Sequence, residues 1–264
     1  MLKNYIKIAI RNLWRHRGFS FINISGLAIG LTAGFFILLY VGLELSYDKF
    51  HTKAGRIYRV VADIKTPTDN IEASIAAWAV APHLKKEFPE IESAVRISRL
   101  NVLVRKDELK FIEENAIAAD SAFFNLFDFK LTQGDSKKVL KAPFSIVLSK
   151  TTAKKYFGDI DPMGKSLKIF DDGRMATVTG VMEDIPENSH IKADMVLSMT
   201  SYTQDMDKEL DSQWDSYDAS AYILVGANTN INQLESKFPG FLERNNGEAM
   251  RKDKMFVTLF LEPL

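Results

Sequence analysis

The clearest pattern in the chain comes early: between Arg17 and Glu44 lie 26 residues without a charge, GFSFINISGLAIGLTAGFFILLYVGL. At about 1.5 Å per residue, a helix of that length reaches roughly 39 Å, against about 30 Å of bilayer hydrocarbon. Tilt, or extension into an aqueous stalk, absorbs the surplus. Tyr40, Tyr47 and Phe50 suit one interface, and Trp14 and Phe19 the other. A cleaved secretory signal is the alternative, but it has a shorter apolar core and a small-x-small cleavage site, whereas ELSYDKFH follows here. A buried core helix is the third reading. The pattern favours an uncleaved anchor over residues 18–45.

Upstream, residues 1–17 place Lys3, Lys7, Arg11 and Arg15 at four-residue spacing, with Ile6, Ala9, Ile10, Leu13 and Trp14 on the other side. This predicts an amphipathic helix lying on the inner leaflet, with Lys3, Lys7, Arg11, Arg15 and Arg17 facing anionic lipid headgroups. A generic topology-setting basic flank is the plainer alternative. Within the span, Gly26, Gly30 and Gly34 repeat every four residues, a small-residue face that lets a second helix approach closely. Glycine is common in membrane helices, so the same spacing also occurs without specific packing.

Beyond the span, alternation over residues 56–64 predicts a strand. A helix over 72–88, stopped by Pro89, and a strand over 91–104 follow. The pattern recurs near the end: a strand over 219–225, a helix beginning at 230–232 and interrupted around Pro239, and a strand over 255–261. Two such units make a split β-α-β-β-α-β arrangement, with both helices on one face of an antiparallel sheet. The stretch between them is rich in short strands (ELKFIEENAIAAD, SIVLS, KSLKIF, MATVTGVME, ADMVLSM), with a helix at 150–157 and a hairpin signal at Asp171–Arg174. It reads as an inserted subdomain. The expected class is α+β: amphipathic helix 1–17, span 18–45 and exterior domain 46–264, with 56–105 and 218–264 forming the split pair and 106–217 the insert.

Composition sharpens this picture. With 46% hydrophobic and 26% charged residues the chain is a folding one, and 34 basic against 34 acidic groups give no bulk charge for nucleic acid. The balance hides an asymmetry. All five charges before Glu44 are basic, leaving residues 44–264 at net −5. Positive charge on one side only places the N-terminus in the cytoplasm and the main domain outside the membrane. Without cysteine there is no disulfide, thiolate nucleophile or cysteine-based metal site.

No catalytic, cofactor or metal site is expected. GDIDPMGKS misses phosphate-loop spacing by one residue and carries Asp159 and Asp161, which repel phosphate, so it reads as a turn. His16, His51, His83 and His190 show no ligand spacing. Glu113 and Glu114 point to opposite faces if they lie on a strand, and Asp171 and Asp172 fall in a turn. Trp78 and Trp214 read as core.

The segments IAIRNLWRHRGFSFINISGLAIGLTAGFFILLYVGLELSYDKFH, PFSIVLSKTTAKKYFGDIDPMGKSLKI and TVTGVMEDIPENSH together resemble the MacB/FtsX-type permeases of ABC transporters, specifically their N-terminal segment and MacB-like periplasmic core domain. The resemblance covers nearly the whole chain. It implies a bacterial inner-membrane protein whose exterior domain is periplasmic, with a porter-like β-α-β pair and an inserted subdomain. By the same token it implies a mechanical part that transmits ATPase-driven movement outward for efflux or release of a substrate. The implied partners are an ABC ATPase subunit, a second permease copy, a periplasmic adaptor and membrane lipids, and not nucleic acid.

Such permeases contain further spans. No second apolar run of about 18 residues occurs among these 264, so the sequence corresponds to the front part of one. Lacking a Walker motif, it is not expected to hydrolyse ATP itself. A single-pass periplasmic sensor or binding module is the competing reading, and an anchored hydrolase a more distant one.

Overall fold

A computed structural model describes residues 2–264, and side chains from Asn4 onward. The chain divides into two compact units, Met1–Tyr47 and Asp48–Leu264.

In the first unit, α1 (Leu2–Arg15) and α2 (Arg17–Glu44) are separated at His16, whose φ of −111° and ψ of 40° leave the helical region. Arg17 therefore opens the long helix rather than closing the short one. Lys7, Arg11 and Arg15 are exposed along α1, while the side chain of Lys3 lies outside the described residues. The 28-residue α2 has a mean hydropathy of 2.1 over its most apolar 18-residue window, and none of that window is buried within the chain. A soluble core helix of this composition would be covered by its own protein, so length, apolarity and exposure together fit a membrane span.

The second unit is built on one sheet whose eleven strands run through the described residues. In chain order its elements are β1 (Ile57–Lys65), β2 (Asn70–Ala73), α3 (Val80–Glu87), β3 (Ile91–Lys106), β4 (Leu109–Ala119), α4 (Phe123–Leu126), β5 (Leu131–Gln133), β6 (Ser145–Ser149), α5 (Lys150–Phe157), β7 (Ser166–Ile169), β8 (Arg174–Met182), β9 (Met195–Ser198), β10 (Ser220–Val225), α6 (Ile231–Glu235), α7 (Phe238–Asp253) and β11 (Phe256–Pro263). One half has the antiparallel order β11-β1-β10-β3. Numbered within the split pair these are its fourth, first, third and second strands, the ferredoxin-like arrangement. Val80 and Leu84 of α3 join Phe238, Phe241 and Leu242 of α7 in a single core against Val60, Ala62 and Ile64 of β1, so both helices occupy one sheet face.

The other half continues from β3 through β4, β9, β6, β8 and β5, with β7 pairing both β3 and β8. The β7–β8 hairpin turns at the Asp171–Arg174 signal, where Gly173 takes φ 72° and the Asp172 carboxylate accepts from the Arg174 backbone N–H. Gly134 is a second forced glycine. It takes φ +102°, and a Cβ there would lie 2.7 Å from Val139 Cγ1 and 2.8 Å from the Thr179 carbonyl.

The helix expected over 72–88 is shorter in the structure. Residues Asn70–Ala73 form β2 instead, extending the partnership of β1 past the point where β10 ends (Ala62↔Ala73 to Lys65↔Asn70). The backbone N–H groups of Ala76, Trp78 and Ala79 then donate to carbonyls of Ala219, Ser216 and Gln213. Pro82 explains where the helix begins: mid-helix it would remove a hydrogen bond and clash with the preceding turn, whereas in the first turn of α3 it costs nothing. Downstream, the expected interruption near Pro239 is the α6/α7 break, with Pro239 in the first turn of α7.

A buried guanidinium ties the two halves. Arg96 on β3 is 4% exposed and grips Asp120 bidentately (Nε to Oδ2 3.0 Å, Nη2 to Oδ1 2.9 Å). It also donates to Asp211 (2.6 Å) and to the Trp78 carbonyl (3.2 Å), and its charge lies over the Trp78 ring. Burial works to lower its pKa, but the Asp120 and Asp211 carboxylates outweigh that and hold it above the ordinary value. Replacing Arg96 with Ala strands a half-buried carboxylate and should cost roughly 3 kcal/mol. The exposed pair Arg244–Glu87, broken by Arg244→Ala, should cost less than about 1 kcal/mol. Urea unfolding of the two variants, followed by tryptophan fluorescence, measures this contrast; equal losses would contradict it.

Candidate functional site: the Asp48–His51 clasp and the adjoining cleft

Four residues beyond the last residue of α2 in the chain, Asp48 takes φ 55°, a left-handed conformation that asparagine and aspartate tolerate better than most residues. Its backbone N–H donates to the Asn188 carbonyl at 2.9 Å. Its carboxylate accepts from the Ser189 hydroxyl, the His190 backbone N–H and His190 Nδ1, the last at 2.7 Å. Because a carboxylate only accepts, Nδ1 donates to Asp48, and Nε2 lies 2.8 Å from the Tyr222 hydroxyl, from which it accepts whenever it carries no proton of its own. The relay Asp48–His190–Tyr222 thus joins the start of the domain, the PENSH loop and the central strand β10.

The same turn holds a second loop. His51, 2% exposed, accepts at Nδ1 from the Asp128 backbone N–H (3.0 Å). Thr52 donates its N–H and hydroxyl to the Asp128 carboxylate, and Lys53 donates to the Asn125 carbonyl. The His51 ring packs among Phe50, Phe127 and Phe129, and its Nε2 is buried without a partner. Residues 48–53 therefore clasp two separate loops of the insert.

Electrostatics follow from burial. For Asp48, burial pushes the carboxyl up, but the hydrogen bonds from His190 and Ser189, with the His190 charge when that ring is protonated, outweigh it and hold the group below its ordinary value. For His51, burial in the aromatic cage dominates the pull of Asp48 and Asp128 and lowers the pKa. Burial pushes the Tyr222 hydroxyl up to about 12, so it keeps its proton.

Beside the relay lies a cleft of about 580 Å³, between the helix-free face of the ferredoxin-like half and the loop carrying His190 and Lys192. On its rim Arg59 pairs with Glu262 at 2.6 Å.

The other residues singled out from the sequence are dispersed. Gly26, Gly30 and Gly34 share one face of α2, and a Cβ at any of them would meet nothing within 4 Å. Glu113 turns inward to Lys155 and to the Tyr156 hydroxyl while Glu114 is exposed, the opposite facing expected of strand neighbours. Asp161 caps the turn before β7 by accepting from Met163 N–H. His83 is bonded to the Ala79 carbonyl on α3, far in sequence from the clasp. Trp78 is buried and Trp214 packs partly buried against the helix-side core. Among the described residues no group of three or more His, Asp or Glu side chains could hold a metal ion. Sequence reasoning set His51 and His190 aside for lack of ligand spacing. The available signal was their place inside SYDKFH and PENSH, the two motifs that meet here.

After the long apolar helix, the domain splits a ferredoxin-like pair around a β-rich insert. The family model that describes the MacB-like periplasmic core domain matches residues 20–239, and the chain belongs to that family, the periplasmic part of ABC transporter permeases. Among solved structures, a domain assigned to a permease protein of Porphyromonas gingivalis is similar at TM-score 0.71 and 25% identity, over 81% of this chain and 92% of that one. The periplasmic region of MacB from Actinobacillus actinomycetemcomitans (TM-score 0.53, 15% identity, 77% and 88% covered) shares the fold. So does the extracellular domain of the ABC-type transporter YknZ from Gram-positive bacteria (0.54, 13%, 78% and 99%). Comparison with curated proteins returned no match.

The clasp makes folding stability depend on pH in two windows. The pKa of His51 is depressed below its ordinary 6.5, so on acidification the unfolded chain takes up the proton first. Stability present above 6.5 is lost as pH falls from there through the folded value. The pKa of Asp48 is depressed below 3.8, so its contribution is complete above 3.8 and lost as pH falls through the folded value. Thermal midpoints against pH should show His51→Asn flattening the upper window and Asp48→Asn the lower; parallel curves for wild type and both variants would refute this assignment.

Proposed function

We propose that this chain is the N-terminal anchor and periplasmic core of an ABC permease, and that it transmits the movement of a cytoplasmic ATPase to the envelope for efflux or release of a substrate. The observation that carries this reading is the clasp. A pull on the helix reaches Asp48 through the backbone within a few residues, and there the chain is bonded to two loops and a central strand rather than leading into a slack linker. Displacement of such an anchor is delivered to the sheet instead of being absorbed. The family's place among ABC transporter permeases agrees with a mechanical role.

In this reading α2 crosses the inner membrane, α1 lies on its cytoplasmic leaflet with Lys3, Lys7, Arg11, Arg15 and Arg17 at the headgroups, and residues 46–264 are periplasmic. The face of Gly26, Gly30 and Gly34 receives another membrane helix, from a second copy or from a further span of the permease. An adaptor outside and an ATPase inside complete the assembly, with ATP bound by the ATPase alone.

The lack of native cysteine gives a label-free background for testing orientation. Lys154→Cys, exposed on α5, should react with a membrane-impermeant maleimide in intact spheroplasts, whereas Lys7→Cys should react only after lysis. The reverse pattern would overturn the proposal. Gly30→Leu meets no steric obstacle within its own chain, so lost co-purification of a tagged second copy, with the exterior domain's thermal midpoint unchanged, is the expected signature of a helix partner. Undiminished association would remove that contact from the proposal.

A further inference from the structure

The sheet ends at β11 on one side and at β5 on the other. An edge strand presents unpaired backbone N–H and C=O groups that can accept another strand, and shortness, bulges, charges or proline commonly blunt it. β5 is blunted: it has three residues, and its register shifts between Leu131 and Gln133. β11 is not. It runs eight residues in unbroken register with β1, from Lys65↔Phe256 to Tyr58↔Pro263, and its first six residues, FVTLFL, carry neither charge nor proline.

One hydrogen bond identifies the free side of this strand. The Leu261 backbone N–H, instead of reaching β1, donates to the Glu235 carboxylate of α6 at 2.7 Å. In an antiparallel ladder every second residue turns its N–H and C=O the same way, so Val257 and Leu259 also direct theirs away from β1. Glu235 occupies the outward position at Leu261 and leaves those two open. The side chains alternate as well. Val257, Leu259 and Leu261 pack on the helix-side core, whereas Phe256, Thr258 and Phe260 are exposed, the two rings by 51% and 40%.

We propose that β11 pairs antiparallel with β11 of a second copy of this chain, about a two-fold axis at Thr258. In that register Val257 of each copy exchanges both backbone bonds with Leu259 of the other, and Glu235 keeps its place. Phe256 of each copy stands opposite Phe260 of the other, and Thr258 opposite Thr258. An axis at Leu259 would claim the Leu261 N–H and displace Glu235, and an axis at Val257 would set Phe260 opposite Lys254. The run Phe256-x-Thr258-x-Phe260 reads alike in both directions, as a strand paired antiparallel with itself requires; a foreign strand would ask for no such symmetry. Cross-strand aromatic pairs stabilise a sheet, and two-fold dimers bury one self-complementary patch. Although residues 44–264 carry net −5, the uncharged run lets two copies meet here without like-charge repulsion. The pairing requires neither the glycine face of α2 nor a role in transport.

The chain has no cysteine of its own, so single-cysteine variants of the full chain in nonionic detergent, oxidised with copper phenanthroline, read the register directly. Thr258→Cys should give a disulfide-linked dimer, because it faces itself in a non-hydrogen-bonded pair with Cα atoms about 4.5 Å apart, within disulfide reach. Phe256→Cys lies roughly 14 Å from its own counterpart and should not link alone, whereas a mixture of Phe256→Cys and Phe260→Cys chains should link across. Val257→Pro removes an outward N–H that β1 does not use, a place where an edge strand tolerates proline. Added to Thr258→Cys, it should abolish linking and leave the thermal midpoint of the exterior domain in place. Absence of a Thr258→Cys dimer, equal linking by Phe256→Cys alone, or undiminished linking in the Val257→Pro background would each overturn the proposal. So would a Thr258→Cys adduct in native membranes whose mass is not twice that of the chain, which would give the edge to a different partner.

Discussion

One strand serves three cores. Over its 16 residues β3 places Ile91 in the core beneath the helices, Val95 and Ile97 in the phenylalanine-rich core of the insert, and Val102 and Val104 in the core around α5. Strand geometry alternates side chains strictly, so a slip of one residue would turn each of these away from its core at once. A shift of register between Leu100 and Val102 accommodates the change of partner along the way. The ferredoxin-like half and the insert are thus not two bodies joined by a hinge but two ends of one hydrogen-bonded ladder, and Arg96, midway along it, binds carboxylates reached from both directions.

This continuity gives the clasp its meaning. Asp48 and His51 hold loops that themselves depart from strands of the same sheet, so a displacement at the beginning of the domain is shared across it. The phenylalanine cluster around Phe123, Phe127 and Phe129 backs His51 with close ring contacts, leaving the turn little room to yield. A well-packed interior transmits strain because its side chains lack alternative positions.

Much of the architecture was legible in the sequence, for identifiable reasons. The uncharged run, the alternation of the outer strands, the stops at Pro89 and Pro239 and the Asp171–Arg174 turn are local signals, and each fell where periodicity and turn chemistry put it. The long helix expected before Pro89 failed because β1 offered Asn70–Ala73 a ladder and because Pro82 belongs in a first turn. The site was far less legible. Asp48 and His190 stand 142 residues apart, and no periodicity in one sequence announces that a turn and a loop so separated will share a proton. The cleft is harder still to foresee, since Arg99 on β3 and Lys192 on a loop come to line one space only once the sheet has folded.

The helices cover one face of the ferredoxin-like half and leave the other free except where the insert reaches it. On that second face Ile57, Val95, Tyr222 and Leu224 pack against the insert, and the cleft lies beside them, lined from this face and from a neighbouring loop. Ile97, Ile117 and Tyr222 serve in both places, lining the cleft and packing in the phenylalanine-rich core. A substitution at any of these three reaches the fold as well as the cleft, whereas one at the exposed Arg99 alters the cleft alone.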